Sequence, residues 1–138
     1  MIVIHHNPDC GTSRNVLRLV EASGAPYTVI DYLNEGWTRP QLLGLFAVAD
    51  LTPRKALRES KSPAEALGLL DDGVSDEAIL DAMLDHPVLV NRPIVCSPCG
   101  VLLCRPSPRV IAILPVLPAQ AVHGEKGEVL FDPAAATP

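Results

Sequence analysis

Apolar and polar positions follow two different rhythms along this chain, and the changes of rhythm mark its elements. Met1 to His6 opens with a short apolar run that reads as a buried strand and stops at the turn-prone NPDCGT. Val16, Leu17, Leu19 and Val20 then recur at helical spacing, and Gly24 is a helix stop. Pro26 to Leu33, PYTVIDYL, is rich in β-branched and aromatic residues and reads as a second strand. Strand, helix and strand make a βαβ unit, with Cys10 at the turn between the first strand and the helix.

From Thr38 to about His86 the pattern is helical, in three or four short segments. Thr38 with Gln41, and Ser62 with Glu65, match the capping box, in which two side chains satisfy free backbone donors reciprocally. Thr52-Pro53 and Ser62-Pro63 set proline at a first helical position, and Ser75 caps a segment with an apolar stripe of Ile79, Leu80, Met83 and Leu84. After Pro87 the texture returns to strand in VLVNRPIVCS, and SPCG followed by GVLLCR completes a β-hairpin. Ser107-Pro108 starts a short helix through about Leu114; the remainder, with Pro115, Pro118, Gly124 and Gly127, reads as irregular. The pattern predicts an α/β fold in one domain over residues 1–132, a helical insertion between the N-terminal βαβ unit and the C-terminal hairpin plus helix, and a mobile tail at 133–138.

Composition narrows the function classes. The chain has 138 residues, 48% hydrophobic and 4% aromatic, with a formal net charge of -5. A domain that neutralises phosphate backbones normally carries excess Lys and Arg, so nucleic acid is not expected as a partner. No apolar run reaches the roughly 20 residues that span a bilayer, and MIVIHHNPD lacks the basic start and cleavage site of a secretory leader. A cytoplasmic protein without a membrane partner is expected. In a reducing compartment four cysteines read as catalytic, metal-binding or buried thiols.

Cys10 has the setting for chemistry. A helix N-terminus offers unpaired N–H groups and the positive end of the helix dipole, which favour thiolate over thiol and also bind an oxyanion. The plainer alternative is a buried structural cysteine, but Cys10 is flanked by Asp9 and Gly11 rather than by apolar residues. A small phosphatase would need an arginine six positions after the cysteine, and Arg14 is only four on.

HNPDCGTSRN, residues 6–15, resembles the active-site signature of the glutathione- and glutaredoxin-coupled arsenate reductases. TPRKALRES at 52–60, HPVLVNRPIV at 86–95 and GVLLCRPS at 100–107 resemble the segments carrying that family's three substrate arginines, in the same order and spacing. The likeness covers roughly residues 2–115. It implies a thioredoxin-like fold, Cys10 as nucleophile, and Arg58, Arg92 and Arg105 as the oxyanion ligands, a task suited to permanently charged forked guanidinium groups. Arg54 lies one turn from Arg58 on the same predicted helix and competes for that role. The resemblance further implies that His6 helps set the thiolate state of Cys10, as a neighbouring imidazolium would, that Ser13 donates to the thiolate or caps the helix, and that the Arg92-Pro93 bond is cis. It implies arsenate as substrate and glutathione as co-substrate, with glutaredoxin as partner and no bound cofactor. Arsenite would form through a Cys10 thiol-arsenic intermediate.

One feature departs from the family pattern, the pair Cys96 and Cys99 in CSPC. A metal site is not expected, since zinc needs about four ligands and no second spaced pair occurs. Cys99 is either a resolving thiol for Cys10, as in thioredoxin-coupled reductases, or an unremarkable turn residue, and Cys104 reads as a small buried side chain. A non-enzymatic redox-sensing transcriptional regulator of the same fold is the alternative reading, although such proteins carry an N-terminal CxxC where this chain has Ser13.

Overall fold

In the computed structural model, which describes residues 1–135, the opening apolar run forms β1 (Ile2–His6), the most deeply buried strand. Helix α1 (Gly11–Ser23) follows and is closed by Gly24 at φ 77°, a left-handed position that glycine takes without penalty. Next comes β2 (Tyr27–Asp31), parallel to β1 with Ile2 beside Tyr27 and His6 beside Asp31. Later in the chain β3 (Ile94–Ser97) and β4 (Gly100–Leu103) form the expected hairpin. The sheet order is β2-β1-β3-β4, and β3 runs antiparallel to both β1 and β4. Val16, Leu19 and Val20 of α1 pack with Ile2, Ile4, Val95, Val110 and Ile113 in one apolar core. The mixed α/β architecture agrees with the fold expected from the sequence.

Two compact units make up the chain: Met1–Asp31 with the chain from Arg92 onward, and Tyr32–Asn91 between them. The second unit is the expected helical insertion. Its elements are a single turn α2 (Tyr32–Glu35), α3 (Arg39–Ala49) and α4 (Asp76–Asp85). Thr38 and Gln41 form the reciprocal capping box at the start of α3, and Ser75 Oγ accepts from the Ala78 N–H at 3.1 Å at the start of α4. Arg39 ties the two helices together by pairing with Glu77 and Asp81.

Several local expectations are corrected. The second strand stops at Asp31, and Tyr32 and Leu33 belong to α2. Residues 52–60 and 62–70 form isolated turns instead of helices: the first ends where Leu57 bridges to Val90 and the Arg58 N–H donates to the Leu89 carbonyl, and in the second Gly68 enters the left-handed region at φ 73°. Ser62 is drawn away from a capping box: its hydroxyl donates to the Arg58 carbonyl and accepts from the Ala64 N–H. Residues 87–89 form a 3₁₀ turn, and β3 begins only at Ile94, after Pro93, which has no N–H for a ladder. The helix expected after Ser107 is 3₁₀ over Ser107–Ile113. Beyond it the chain is not wholly irregular: β5 (Val122–His123) and β6 (Val129–Phe131) pair antiparallel, and Leu130 and Phe131 join the core. Strands of two and three residues are too short to show a period. Of the tail expected at 133–138, Ala134 and Ala135 turn back onto Asp132 through bonds of 2.9 and 3.1 Å, and 136–138 lie outside the described residues.

Leu19 is fully buried where α1 meets the sheet. Leu19→Ala is expected to cost about 2–5 kcal/mol by cavity formation, seen as a lower urea midpoint at unchanged m value.

Candidate active site

Strand polarity gathers the site at one end of the sheet. β1 leads out through His6 to the turn before α1, so Cys10 lies beyond its C-terminal end. Antiparallel β3 enters at that same end, since Ile94 lies beside His5, and Arg92 precedes it by two residues. β4 exits there as well: Leu103 lies beside Ile94, Cys104 N–H donates to the Pro93 carbonyl at 2.9 Å, and Arg105 follows. Arg105 Nη1 is 3.7 Å from Cys10 Sγ and donates to the Arg92 carbonyl at 3.1 Å. Both Arg92-Pro93 and Arg105-Pro106 are cis; the second was not anticipated from the sequence.

The turn that carries Cys10 is built locally. Asn7 Oδ1 accepts from the Asp9 N–H at 2.9 Å, and the Asn7 carbonyl accepts from the Cys10 N–H at 3.1 Å. Cys10 itself is the N-cap of α1, in extended conformation at φ −107° and ψ 122°, so the unpaired N–H groups of the first helical turn face its sulfur. Burial pushes the Cys10 thiol up, but the Ser13 N–H, the Arg92 and Arg105 guanidinium groups and the Thr12 N–H together outweigh it and bring the pKa to about 7. Half of the side chain is then thiolate near neutral pH, surrounded by donors that also suit an oxyanion. An ionisable thiol and a set of hydrogen-bond donors thus occupy one place.

The remaining candidates fall in different settings. His6 is buried, its Nδ1 has no hydrogen-bond partner among the described residues, and desolvation lowers its pKa despite the opposing charge of Asp31. Burial therefore favours the neutral imidazole over an imidazolium, and the charges that assist Cys10 come from the arginines. Ser13 acts on the sulfur through its backbone N–H; its hydroxyl accepts from the Asn7 N–H at 3.4 Å. Arg58 belongs to the second unit, where its Nε donates to the Ser60 carbonyl at 3.0 Å and its N–H to the Leu89 carbonyl at 2.8 Å. Arg54, its competitor, is committed to structure: its guanidinium donates to the carbonyls of Leu69, Asp71 and Val74.

The hairpin decides the position of the other cysteines. Cys96 lies beside Val3 and the β3–β4 turn beyond it, so Cys99 projects from the end of the sheet opposite Cys10. Val3 to His6 alone spans roughly 10 Å of strand, whereas a disulfide needs Cα atoms within about 7 Å. The resolving role considered for Cys99 therefore does not fit this fold. Burial raises the Cys96 thiol and pushes Cys104 up to about 12, leaving both protonated at neutral pH. Among the described residues no group of three His, Cys, Asp or Glu could hold a metal ion, and no helix is long and apolar enough to cross a membrane.

Sequence reasoning missed Asn7 and Ser107. Asn7 was legible in principle, since Asn two residues before Asp in NPD is an Asx-turn signal. Ser107 Oγ donates to the Thr12 carbonyl at 3.1 Å, which fixes the 3₁₀ turn to the start of α1 across 95 residues and leaves no local mark in the sequence.

Comparison with known proteins shows what this chain is similar to. The ArsC family model matches residues 5–113. The chain is 62% identical over 132 residues to the arsenate reductase ArsI2 of Synechocystis sp., covering 96% of this chain and 94% of that protein. It is 46% identical over 133 residues to an arsenate reductase of Escherichia coli, with 96% and 94% covered. Among solved structures, the arsenate reductase from Vibrio cholerae superposes with a TM-score of 0.76 at 36% identity, covering 82% of this chain and 97% of that one.

Alkylation of Cys10 by iodoacetamide, followed by mass spectrometry, is expected to rise with pH and reach half its maximum near 7, because thiolate is the reacting form. Arg105→Ala removes one of the groups that lower the pKa, so the midpoint should move up toward the ordinary thiol range.

Proposed function

The chain belongs to the ArsC family, and on that premise we propose that it reduces arsenate to arsenite in the cytoplasm, with glutathione and glutaredoxin supplying the electrons. The observation that carries the reading is the Cys10 thiol, with a pKa of about 7 and a guanidinium nitrogen 3.7 Å from its sulfur. The names of relatives at 62% and 46% identity support arsenate as the substrate.

The proposed sequence begins when the Cys10 thiolate attacks arsenic. A sulfur–arsenic bond forms, and one arsenate oxygen leaves as water after taking up two protons. Glutathione adds to the arsenic in the same way, with loss of a second water. A glutaredoxin thiolate then attacks the glutathione sulfur. The arsenic–sulfur bond breaks, its electron pair reduces arsenic from the +5 to the +3 state, and a mixed disulfide leaves with glutaredoxin. Hydrolysis of the remaining sulfur–arsenic bond releases arsenite and returns the Cys10 thiol. In this scheme Arg92 and Arg105 hold the oxyanion and offset the charge that builds on its oxygens in the transition state. Arg58 is assigned to the same anion on the family motif. Ser13 and Thr12 contribute backbone N–H groups to the departing and returning thiolate, and His6 contributes a neutral imidazole at the edge of the turn.

Arsenate reduction measured with glutathione plus glutaredoxin, and separately with thioredoxin alone, tests the reading. Wild type and Cys99→Ser should be equally active with glutaredoxin and inactive with thioredoxin, while Cys10→Ser should lose activity altogether. Thioredoxin-driven activity that disappears in Cys99→Ser would overturn the choice of reductant, and full activity of Cys10→Ser would overturn the mechanism. Arg105→Lys keeps the charge but loses the fork, so kcat/KM for arsenate should fall roughly 10- to 100-fold.

A further inference from the structure

Arg14 stands four residues after Cys10, and the scheme above leaves it without a part. Its guanidinium reaches two segments far apart in the chain. Nη1 donates to the Pro8 carbonyl at 2.7 Å. The other edge grips Glu125, Nε pairing with Oε1 and Nη2 donating to Oε2 at 3.1 Å. A two-pronged carboxylate contact fixes the plane of a guanidinium as well as its position, which here leaves Nη1 aimed at the turn before Cys10.

The turn between β5 and β6 is itself seated on α1. The Glu125 N–H donates to Asn15 Oδ1 at 3.2 Å, Asn15 Nδ2 donates to Glu128 Oε1 at 3.2 Å, and Arg18 Nη1 reaches the His123 carbonyl at 3.5 Å. A Cβ on Gly124 would come within 3.1 Å of the Asn15 amide nitrogen, so the turn lies directly on the helix. On the other side, Pro8 and Asp9 are exposed. The turn's other ties outside itself are made at its two ends, from the Asn7 N–H to Ser13 Oγ at 3.4 Å, from the Arg14 N–H to the Cys10 carbonyl at 3.0 Å and from Arg105 Nη1 to Cys10 Sγ at 3.7 Å, not at Pro8 or Asp9. The Arg14 bond to Pro8 is thus the short tie between the apex of the turn and the helix.

We propose that Glu125 is a positioning residue for Cys10: by fixing the Arg14 guanidinium on the Pro8 carbonyl, it holds the turn so that the sulfur meets the backbone donors at the start of α1. The proposal rests on Cys10 being the nucleophile and adds a residue outside the segment matched by the family model, 5–113. The ion pair is largely solvent-exposed and contributes little to global stability. Its effect belongs in the thiol.

Charge and position predict opposite signs, which makes the test decisive. By charge alone, removing Glu125 unmasks Arg14 near Cys10 and would lower the thiol pKa further. If Glu125 acts by position, the sulfur loses alignment with its donors and the pKa rises. The experiment is the pH profile of Cys10 alkylation by iodoacetamide in wild type, Glu125→Ala, Glu125→Asp, Arg14→Ala and the double variant Glu125→Ala with Arg14→Ala. Glu125→Ala is expected to raise the midpoint and slow alkylation at pH 7 roughly three- to tenfold. Arg14→Ala should do the same, and the double variant should be no worse than either single one, as for two residues acting through one contact. Glu125→Asp, which keeps a carboxylate, should recover part of the loss, and Glu125→Gln serves in place of Glu125→Ala if that variant melts early. A lowered or unchanged midpoint, or additive losses, would overturn the proposal. Alkylation requires no arsenate, so this result stands apart from the success or failure of the reductase assay.

Discussion

The balance of forces on the sulfur of Cys10 is the constraint on which the rest of this structure depends. Burial opposes ionisation of the thiol, and only donors at close range can reverse that. Two supplies are present. The first turn of α1 brings N–H groups that have no partner within the helix, and the sheet brings guanidinium charge from Arg92 and Arg105. The helix N–H groups are set by the backbone, and the Arg105 guanidinium is held by its bond to the Arg92 carbonyl. Donors fixed in advance need no rearrangement when negative charge develops beside them, which is the condition for electrostatic catalysis.

The same constraint explains why four cysteines in one chain have different chemistry. Cys104 is buried beside the core with little to offset desolvation, and its pKa rises to about 12. Cys96 shifts in the same direction. Cys10 alone among the three combines burial with an unpaired helix end and two arginines, and its pKa falls to about 7. A thiol becomes a nucleophile through its surroundings, and the fold offers those surroundings at one end of one sheet. Cys99, at the opposite end, is excluded from that chemistry by strand register before its own reactivity matters.

A small fold must also hold its reactive turn still. Asn7 closes the turn on itself, Ser107 pins the start of α1 from one side, and Arg14 with Glu125 does so from the other. Each bond is modest, and the last two connect the site to segments that are anchored elsewhere in the core. The short β5–β6 hairpin fits this pattern: Leu130 and Phe131 are buried with α1 and the sheet, so the turn that carries Glu125 rests on a packed base.

Much of this was legible in the sequence, and the legible part has a common character. The strand before Cys10, the helix after it, the capping box at Thr38, the N-cap at Ser75, and the hairpin from Ile94 to Leu103 are set by periodicity and by bonds between residues a few positions apart. The arginine motifs could be recognised because their residue order is distinctive. The sequence by itself therefore determined the βαβ opening, the place of Cys10 at a helix end and the candidate charges around it. Tertiary structure decided whatever depends on burial or on distant partners: the neutral tendency of His6, the isolation of Cys99, the loss of the helices expected at 52–70, and the contact between Arg14 and Glu125 across 111 residues. Local order in a chain carries no record of which groups water will leave, or of which remote segment will fold back beside them. For Cys10 those two factors turned a cysteine at a helix end into a thiolate with defined neighbours.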